Sequence, residues 1–497
     1  MPNISSPNRS TPLDAASPQR RLTLFDTTSI IVGIIIGSGI YKTAPMIAGC
    51  VPTPTALLAV WLAGGLFALV GSLCYAELAT ALPREGGDYA FLTRAYGRPV
   101  GFLFAWCELW VIRPGSIGGM AFVFADYAGE LVDLGRHAPV FYAAVAVGVL
   151  TLVNIVGVTT GKWTQNVLTA AKVAGLLIVV AIGVSHVAPA PTVRAPSATP
   201  EPQSVGSPRN TADEQTQEEG PRPFKADWAF AMILILYAYG GWNDMAYVGA
   251  EVRDPERNIL RALLLGTAIV TLIYLLLNIA FLRALGLDGT RQAKVVAADV
   301  TKLAWPWGAK AVSALVAISA LGAMNGMIFT GGRIYYAMGA EHRLFSLLGC
   351  WSRRLGTPAW SLALQGAITL AVVLYFGLSA QGFGADAFEQ GLDRGAFEKM
   401  VNFALPLFWA FLLLVGSSLI WLRRREPNIP RPFRVPLYPL TPLAFCAACG
   451  WMEWSSLRHA LDKGTPEALW VLAAGVVVAV GNWAWGDPVN HEKPSQS

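Results

Sequence analysis

Apolar residues in this chain are gathered into runs of about 20, the length that an α-helix needs to cross the hydrocarbon core of a bilayer. About twelve such runs can be counted, separated mostly by short polar loops. The composition agrees, because 54% of the residues are hydrophobic and 14% are charged, whereas soluble domains carry about 25% charged residues. The sequence therefore predicts an all-α integral membrane protein with about twelve transmembrane helices.

The first apolar run, Leu24 to Cys50, is interrupted near its middle by Gly37-Ser38-Gly39. Two glycines within three residues favour unwinding, because each costs about 1 kcal/mol relative to alanine inside a helix. Unwound backbone persists in a bilayer only where protein or a water-filled cavity satisfies its polar groups. The break therefore predicts either a binding site at mid-membrane or a close helix contact through Gly33 and Gly37.

The sixth apolar run favours the binding site. It contains Tyr237-Ala238-Tyr239-Gly240-Gly241-Trp242-Asn243-Asp244, so a glycine pair and polar side chains occupy its most apolar depth. If the chain consists of two repeats of five helices, runs one and six are equivalent, and both are interrupted. Paired broken helices are the expected mark of a secondary transporter built from inverted repeats. The paired breaks therefore predict a secondary transporter.

The predicted domain boundaries follow from the apolar runs and from polar segments. A disordered tail (1–22) precedes the first repeat (23–187), and a disordered linker (188–226), rich in Pro, Ser, Thr and Glu, leads to the second repeat (227–423). Two peripheral helices (424–486) and a short tail (487–497) follow. Arginine-rich loops place both termini in the cytoplasm and the linker on the opposite side of the membrane, by the positive-inside rule.

Nothing in the sequence predicts a cofactor, a metal ion or nucleic acid as a partner. The five histidines fall at predicted helix ends, in loops or in the tail. Of the six cysteines, Cys446 and Cys449 have CxxC spacing but no further ligands nearby. An intramembrane enzyme, a channel or a non-transporting nutrient sensor are alternatives that fit two broken helices less well than a transporter. The chain is therefore predicted not to be an enzyme.

Several motifs occur in a fixed order along the chain. They are Ile35-Ile36-Gly37-Ser38-Gly39-Ile40-Tyr41, Pro83-Arg84-Glu85-Gly86-Gly87-Asp88-Tyr89, Arg113-Pro114-Gly115-Ser116, Ala238-Tyr239-Gly240-Gly241-Trp242-Asn243 and Pro430-Arg431-Pro432-Phe433-Arg434-Val435-Pro436. Their order and spacing resemble the amino acid–polyamine–organocation (APC) superfamily of amino acid permeases, closest to its L-type amino acid transporter-like branch. The resemblance implies a leucine-transporter-like fold, which is an inverted 5+5 repeat with broken helices 1 and 6 and with helices 11 and 12 peripheral. It also implies sodium-independent movement of amino acids across the plasma (inner) membrane, by exchange or proton symport with alternating access.

The resemblance also implies a substrate site. The N–H groups around Gly37, Ser38 and Gly39, with the Ser38 hydroxyl, would bind the substrate carboxylate. Carbonyls near Ile35 in helix 1 and near Tyr237 and Gly240 in helix 6 would bind its ammonium group. Tyr237 would take the place of an aromatic gate, and Asn243 would line the cavity or brace the unwound turn. The expected substrate-binding residues are Ile35, Gly37, Ser38, Gly39, Ile40, Tyr237, Gly240 and Asn243.

Lys172 lies in the fifth apolar run, where a charge at the bilayer centre costs roughly 3 kcal/mol. It either snorkels to the interface or faces the bundle. The resemblance favours the second alternative, with the ammonium in the place of the sodium ion of related carriers. There it would bridge carbonyls of helix 1 and a hydroxyl such as that of Ser319, and it would be a plausible proton carrier.

Three further charged residues fall within apolar runs. We expect Glu108 and Arg113 to form a buried structural pair and Asp244 to point into the bundle. Neutral amino acids are therefore the expected substrates, with cationic amino acids or polyamines as the alternative. The loop from Asp133 to Pro139 lacks the cysteine through which some members of the family bind a heavy chain, so we expect no disulfide-linked heavy chain.

Overall fold

The computed structural model describes residues 18–135, 137–186, 226–381, 393–462 and 467–485. Most of the predicted N-terminal tail and linker, and all of the predicted C-terminal tail, lie outside these residues. The helices are α1 (Leu24–Ile35), α2 (Gly39–Cys50), α3 (Pro54–Ala81), α4 (Asp88–Tyr96), α5 (Arg98–Cys107), α6 (Arg113–Leu131), α7 (Ala138–Val156), α8 (Val158–Ser185), α9 (Trp228–Ala238), α10 (Pro255–Gln292), α11 (Val296–Lys302), α12 (Gly308–Glu341), α13 (Ala359–Gln381), α14 (Asp393–Arg425), α15 (Leu440–Asp462) and α16 (Glu467–Trp485). A π-helical turn (Glu108–Ile112) joins α5 to α6, and short 3₁₀ helices occupy Trp242–Glu251 and Arg343–Phe345.

Within the described ranges, eight helices are long and apolar enough to cross a membrane, and the bent pair of α1 and α2 makes a ninth span. The chain is therefore an all-helical membrane protein with a broken N-terminal helix. The sixth apolar run does not add to this count, because it is divided between α9, with 11 residues, and a 3₁₀ helix of 10 residues. Each half is too short to span a bilayer alone.

Local sequence explains where both broken helices stop. Thr23 and Asp26 form a capping box at the start of α1, and the helix ends immediately before the glycine pair. The axis then bends by 49° into α2. In the sixth run the chain turns at Gly241, whose φ of 108° lies in the left-handed region that glycine adopts without strain. The sequence breaks therefore become real breaks of the helical backbone.

The two broken helices lie side by side and are tied together at both ends. At one end the Leu22 N–H donates to the Glu251 carbonyl (2.9 Å), and the Arg253 N–H donates to the Leu22 carbonyl (2.9 Å). At the other end the Asp227 N–H donates to the Cys50 carbonyl (3.0 Å). We call these the Leu22 end and the Cys50 end. The two breaks lie between these ends, and α8, α10 and α12 pack around α1.

Two ion pairs, one of them fully buried, reinforce the Leu22 end. Arg333 of α12 binds Glu251 with 2.7 Å between Nε and Oε1, and both side chains are at most 2% exposed. Lys162 of α8 binds Asp26 of α1 at 3.1 Å. Each pair joins the half of a broken helix that lies at this end to an unbroken helix. Because breaking a buried pair strands a charge, the Arg333–Glu251 pair keeps α12 and the 3₁₀ helix together at this end, and we call this arrangement closed.

Candidate substrate site

The turn between α1 and α2 presents free N–H groups. In the part of the chain that the structure describes, the N–H groups of Ser38, Gly39 and Ile40 have no backbone acceptor. They belong to the start of α2, where the helix dipole favours an anion. The Gly37 N–H, expected in the same role, instead donates to the Ile35 carbonyl at 2.8 Å. The free N–H groups are therefore displaced by one residue from the predicted set.

The hydroxyl of Ser38 is available beside these N–H groups. The residue is 1% exposed, and among the described residues its Oγ has no partner with hydrogen-bond geometry. The hydroxyl of Tyr237 lies close enough to interact with it weakly. A buried polar atom without a firm partner is unusual in a folded protein. The Ser38 hydroxyl therefore has hydrogen-bonding capacity that the described residues do not use.

The carbonyls expected to bind an ammonium group are not equally free. The Ile35 carbonyl accepts from the Tyr274 hydroxyl (3.1 Å) as well as from the Gly37 N–H. The Tyr237 carbonyl accepts from the Gly240 N–H (3.1 Å). The Gly240 carbonyl accepts no backbone hydrogen bond within the described ranges. Gly240 is therefore the best placed of the three predicted carbonyls.

Tyr274 is a site residue that sequence reasoning missed. Tyr274 is fully buried in α10. Its hydroxyl contacts the carbonyl of Ile35 at the end of α1 and, at 3.2 Å, the carbonyl of Ala238 at the end of α9, the first half of the sixth apolar run. One side chain thus holds the broken ends of both helices. The available signal was a tyrosine in the middle of an otherwise aliphatic run, where its hydroxyl needs a partner.

A cavity of about 140 Å³ lies beside both breaks. Seven of the eight predicted substrate-binding residues line it, and Ile40 does not. Its remaining wall is mostly apolar, and it includes Ile112, Met120 and Phe408. The lining residues from the predicted set are Ile35, Gly37, Ser38, Gly39, Tyr237, Gly240 and Asn243.

Lys172 lies behind the turn of helix 1, and its side chain is fully buried. Its ammonium donates to the carbonyls of Gly33 (2.8 Å), Ile36 (2.8 Å) and Ser319 (2.9 Å). An ammonium has three donors, and all three are used. The contact with Ser319 differs from the prediction, because the Ser319 hydroxyl does not bind Lys172 and donates to the Ile36 carbonyl at 2.8 Å.

Charged side chains form one wall of the cavity. The Arg113 Nε donates to Glu108 at 2.9 Å, and its two Nη atoms bind both oxygens of Asp244 at 2.7 and 2.8 Å. The predicted Glu108–Arg113 pair is thus present. The π-helical turn brings these residues, five apart in sequence, to the same side, because its repeat is i to i+5.

Asp244 points into the bundle, where Arg113 and Thr330 bind its carboxylate, and it also reaches the cavity. It lines the cavity together with Glu108 and Arg113. This segment forms a 3₁₀ helix with about three residues per turn. The tighter winding changes the direction of the side chain relative to Asn243.

Asp88, at the start of α4, lies behind this charged wall and was not singled out from the sequence. Its carboxyl is 3% exposed and accepts from the hydroxyls of Tyr75 (3.0 Å) and Tyr247 (2.8 Å). The amide of Asn243 donates to the Tyr247 hydroxyl at 3.3 Å, so a hydrogen-bond chain runs from the cavity to Asp88. Burial raises the pKa of Asp88 to about 8. We call Asp88, Glu108 and Asp244, with Arg113 among them, the acidic cluster.

Comparison with known proteins shows which proteins this chain resembles in sequence. Residues 22–480 match the model of a family described as amino acid permease. The chain is 30% identical to the b(0,+)-type amino acid transporter 1 of Mus musculus over 434 residues, which covers 86% of this chain and 81% of the relative.

Two further relatives match over similar lengths. The cystine/glutamate transporter of Homo sapiens is 27% identical over 443 residues, which is 88% of this chain and 80% of the relative. The large neutral amino acids transporter small subunit 2 of Mus musculus is 28% identical over 434 residues, which is 86% and 75% of the two chains. All three relatives are named as transporters of amino acids.

Proposed function

Because the chain belongs to the amino acid permease family of the APC superfamily, we propose that it moves amino acids across the membrane without sodium, by exchange or proton symport. It is an amino acid transporter and not an enzyme. The observation that carries the proposal is the set of free N–H groups at Ser38, Gly39 and Ile40, which lies beside the cavity. These donors suit a carboxylate, which every amino acid has.

The main-chain groups of the substrate would be bound by the two breaks. The N–H groups at the start of α2 and the Ser38 hydroxyl would bind the carboxylate, and the carbonyl of Gly240 would accept from the ammonium group. Tyr237 would cover the substrate, and Asn243 would brace the turn through Tyr247. The broken helices therefore supply both of the charges that a zwitterion needs.

Neutral amino acids are the substrates we propose, because the side-chain wall of the cavity is mostly apolar and includes Ile112, Met120 and Phe408. The name of one relative specifies large neutral amino acids. Cationic amino acids remain the second candidate, since Glu108 and Asp244 also line the cavity.

Sodium independence is supported by Lys172. Its ammonium binds carbonyls of both α1 and α12, as a metal cation between the two helices would. Carbonyl oxygens are the ligands that hard cations prefer. A fixed ammonium at this position would remove the need for a coupling ion.

The finer architecture we propose is an inverted 5+5 repeat of about twelve helices. The halves of helices 1 and 6 at the Leu22 end would move together during alternating access, and that end would face the cytoplasm of the plasma (inner) membrane, with both termini. The described part of the loop between α6 and α7 contains no cysteine, so a disulfide-linked heavy chain is not expected.

The test is counterflow in proteoliposomes loaded with one unlabelled amino acid at a time. Uptake of a radiolabelled neutral amino acid, driven by internal substrate and unchanged when sodium is replaced by choline, would support the proposal. Gly39→Val is the informative variant, because a Cβ at Gly39 would lie 3.1 Å from the Cα of Ala238. Gly49→Val is the matched control in the same helix, since a Cβ there meets nothing within 4 Å.

Two results would contradict this function. Equal uptake by the Gly39→Val and Gly49→Val variants would exclude the turn as the substrate site. Substrate binding without any uptake by the wild-type protein would favour the alternative of a non-transporting sensor.

A further inference from the structure

The acidic cluster holds more negative than positive charge. Asp88, Glu108 and Asp244 are 3%, 3% and 5% exposed, and the one cation among them, Arg113, is 4% exposed. The ring of Tyr247 lies between these groups, because its hydroxyl binds Asp88 while the Arg113 guanidinium stacks over its face at 5.0 Å. The four charged groups are thus one buried unit.

With every carboxyl ionised, this unit would carry a surplus of two negative charges. The other titratable groups that face it are the phenols of Tyr75, Tyr247 and Tyr335, which are neutral at physiological pH. Within the described ranges, the ion pairs bring only Arg113 to these carboxyls. Uncompensated buried charge is so costly that a carboxyl takes up a proton instead. Interacting carboxyls share such protons as a unit.

The hydrogen bonds show which carboxyl oxygens have no donor and could therefore carry a proton. The donors of Arg113 are directed at Glu108 and Asp244, and the Thr330 hydroxyl also donates to Asp244 at 2.8 Å. The Oε1 of Glu108 has no donor among the described residues, although its side chain lines the cavity. The Oδ1 of Asp88 is buried and likewise has no partner in the described part of the chain.

The ammonium of Lys172, in contrast, has no unused hydrogen-bonding position. Its three donors are occupied by three carbonyls, so loss of its proton would leave one carbonyl facing an amine lone pair. A cation held in this way is a fixed part of the structure in this closed state.

We propose that Glu108 binds the coupling proton of the transport cycle and shares it with Asp88 and Asp244. The inference rests on the transport function proposed above and names the site of its proton. While the Leu22 end is closed, the Glu108 Oε1 takes a proton from hydronium in the cavity, leaving water and a neutral carboxyl. When the 3₁₀ helix moves and that end opens, water reaches the cluster and accepts the proton. One proton therefore crosses with each substrate.

The experiment compares two readouts for the wild type and the Glu108→Gln variant. Counterflow measures exchange without a gradient, and a proton gradient imposed on liposomes without internal substrate measures coupled accumulation. Glutamine keeps the size of glutamate and an acceptor for Arg113, but it cannot release a proton. We expect gradient-driven accumulation to fall at least about tenfold further than counterflow does, so that the ratio of the two readouts changes by that factor.

The matched control is Glu251→Gln. Glu251 is also a buried glutamate bound by an arginine near the Leu22 end, but both of its oxygens are engaged by Arg333 and it does not line the cavity. This variant is expected to lower both readouts in parallel and to leave their ratio unchanged.

Gradient-driven accumulation that survives in the Glu108→Gln variant would overturn the proposal. So would a wild-type protein that shows counterflow but no response to the gradient, and the transport function would then still stand. Absence of both activities in the wild type would instead refute the transport function itself.

A measurement on the wild type alone covers the case in which the variant does not fold. Substrate is added to detergent-solubilised protein in weakly buffered solution that contains a pH indicator. We expect proton uptake on binding and a substrate affinity that falls as the pH rises from about 6 to about 9. No proton uptake, with affinity independent of pH, would overturn the proposal.

Discussion

Two buried charged sites lie around the substrate cavity, and they use their hydrogen-bonding capacity differently. Lys172 is a single cation whose three donors meet three main-chain carbonyls. The acidic cluster sets three carboxyls against one guanidinium and leaves the Oε1 of Glu108 and the Oδ1 of Asp88 without a donor among the described residues. All donors of the first site are therefore satisfied, whereas the second site has carboxyl oxygens that could bind a proton.

The difference teaches that burial alone does not identify a residue that changes its charge during transport. Lys172 and Glu108 are both buried, and both lie within apolar runs of the sequence. A charged group whose hydrogen bonds are all satisfied stabilises one arrangement of the backbone, because a change of its charge would leave its partners without a hydrogen bond. An incompletely satisfied cluster can alternate between two protonation states at lower cost.

The largest effect is expected from Lys172→Ala. Removing this ammonium takes a charged donor away from the carbonyls of Gly33, Ile36 and Ser319, and breaking a buried charged contact costs about 3–5 kcal/mol. Counterflow and gradient-driven uptake should therefore both fall by more than about tenfold, and the melting temperature should decrease. Lys162→Ala, at the end of the same helix and 20% exposed, is the milder control. If Lys172→Ala abolished only the gradient-driven uptake, Lys172 would be the proton carrier and the comparison would be reversed.

Asp244→Asn should have the next largest effect. The substitution removes one of the two charges bound to Arg113 but leaves Glu108, so the cluster loses part of its surplus charge. We expect counterflow to fall about tenfold, because a hydrogen bond to a charged group contributes about 1.5–3 kcal/mol. The ratio of gradient-driven uptake to counterflow should stay the same as in the wild type. A complete loss of the response to the gradient would make Asp244, and not Glu108, the proton site.

Asp88→Asn tests how pH controls opening of the Leu22 end. In the closed state the pKa of Asp88 is raised to about 8, and in an open, hydrated state it should approach its ordinary value of 3.8. Between these values the closed state holds a proton that the open state lacks. Rising pH should therefore favour opening by up to about tenfold per pH unit, with no further gain above about pH 8.

Hydrogen exchange of the peptide that contains α4 measures this opening, after correction for the intrinsic pH dependence of exchange. The wild type should exchange faster at pH 8 than at pH 6, and the Asp88→Asn variant should show no such difference. The same pH response in both proteins would exclude Asp88 from the opening reaction.

The smallest effect is expected from Ser38→Ala. The N–H groups of Ser38, Gly39 and Ile40 remain in this variant, and a neutral hydrogen bond contributes only about 1 kcal/mol. KM for counterflow should rise by about fivefold, with the pH dependence unchanged, because the hydroxyl is not part of either charged site. An altered pH profile would show that the two sites are coupled through the turn.

Much of this protein could be predicted from local sequence. The apolar runs predicted helical spans, because a membrane leaves the backbone no other way to satisfy its hydrogen bonds. Gly37 and Gly39 predicted the break in helix 1, and Gly240 with Gly241 predicted the break in helix 6, since both depend on short-range backbone preferences. Seven of the eight residues expected at the cavity line it.

Only the tertiary structure decided which polar atoms remain free. The Tyr274 hydroxyl donates to the Ile35 carbonyl, although the two residues lie 239 positions apart in the sequence. No local pattern contains that information. The 3₁₀ winding after Gly241 directs Asp244 to the cavity, and the π-helical turn aligns Glu108 with Arg113. The sequence by itself determined where the helices break, because that depends on neighbouring residues. The balance of charge around the breaks depends on which distant helices meet there, and the fold alone determines that.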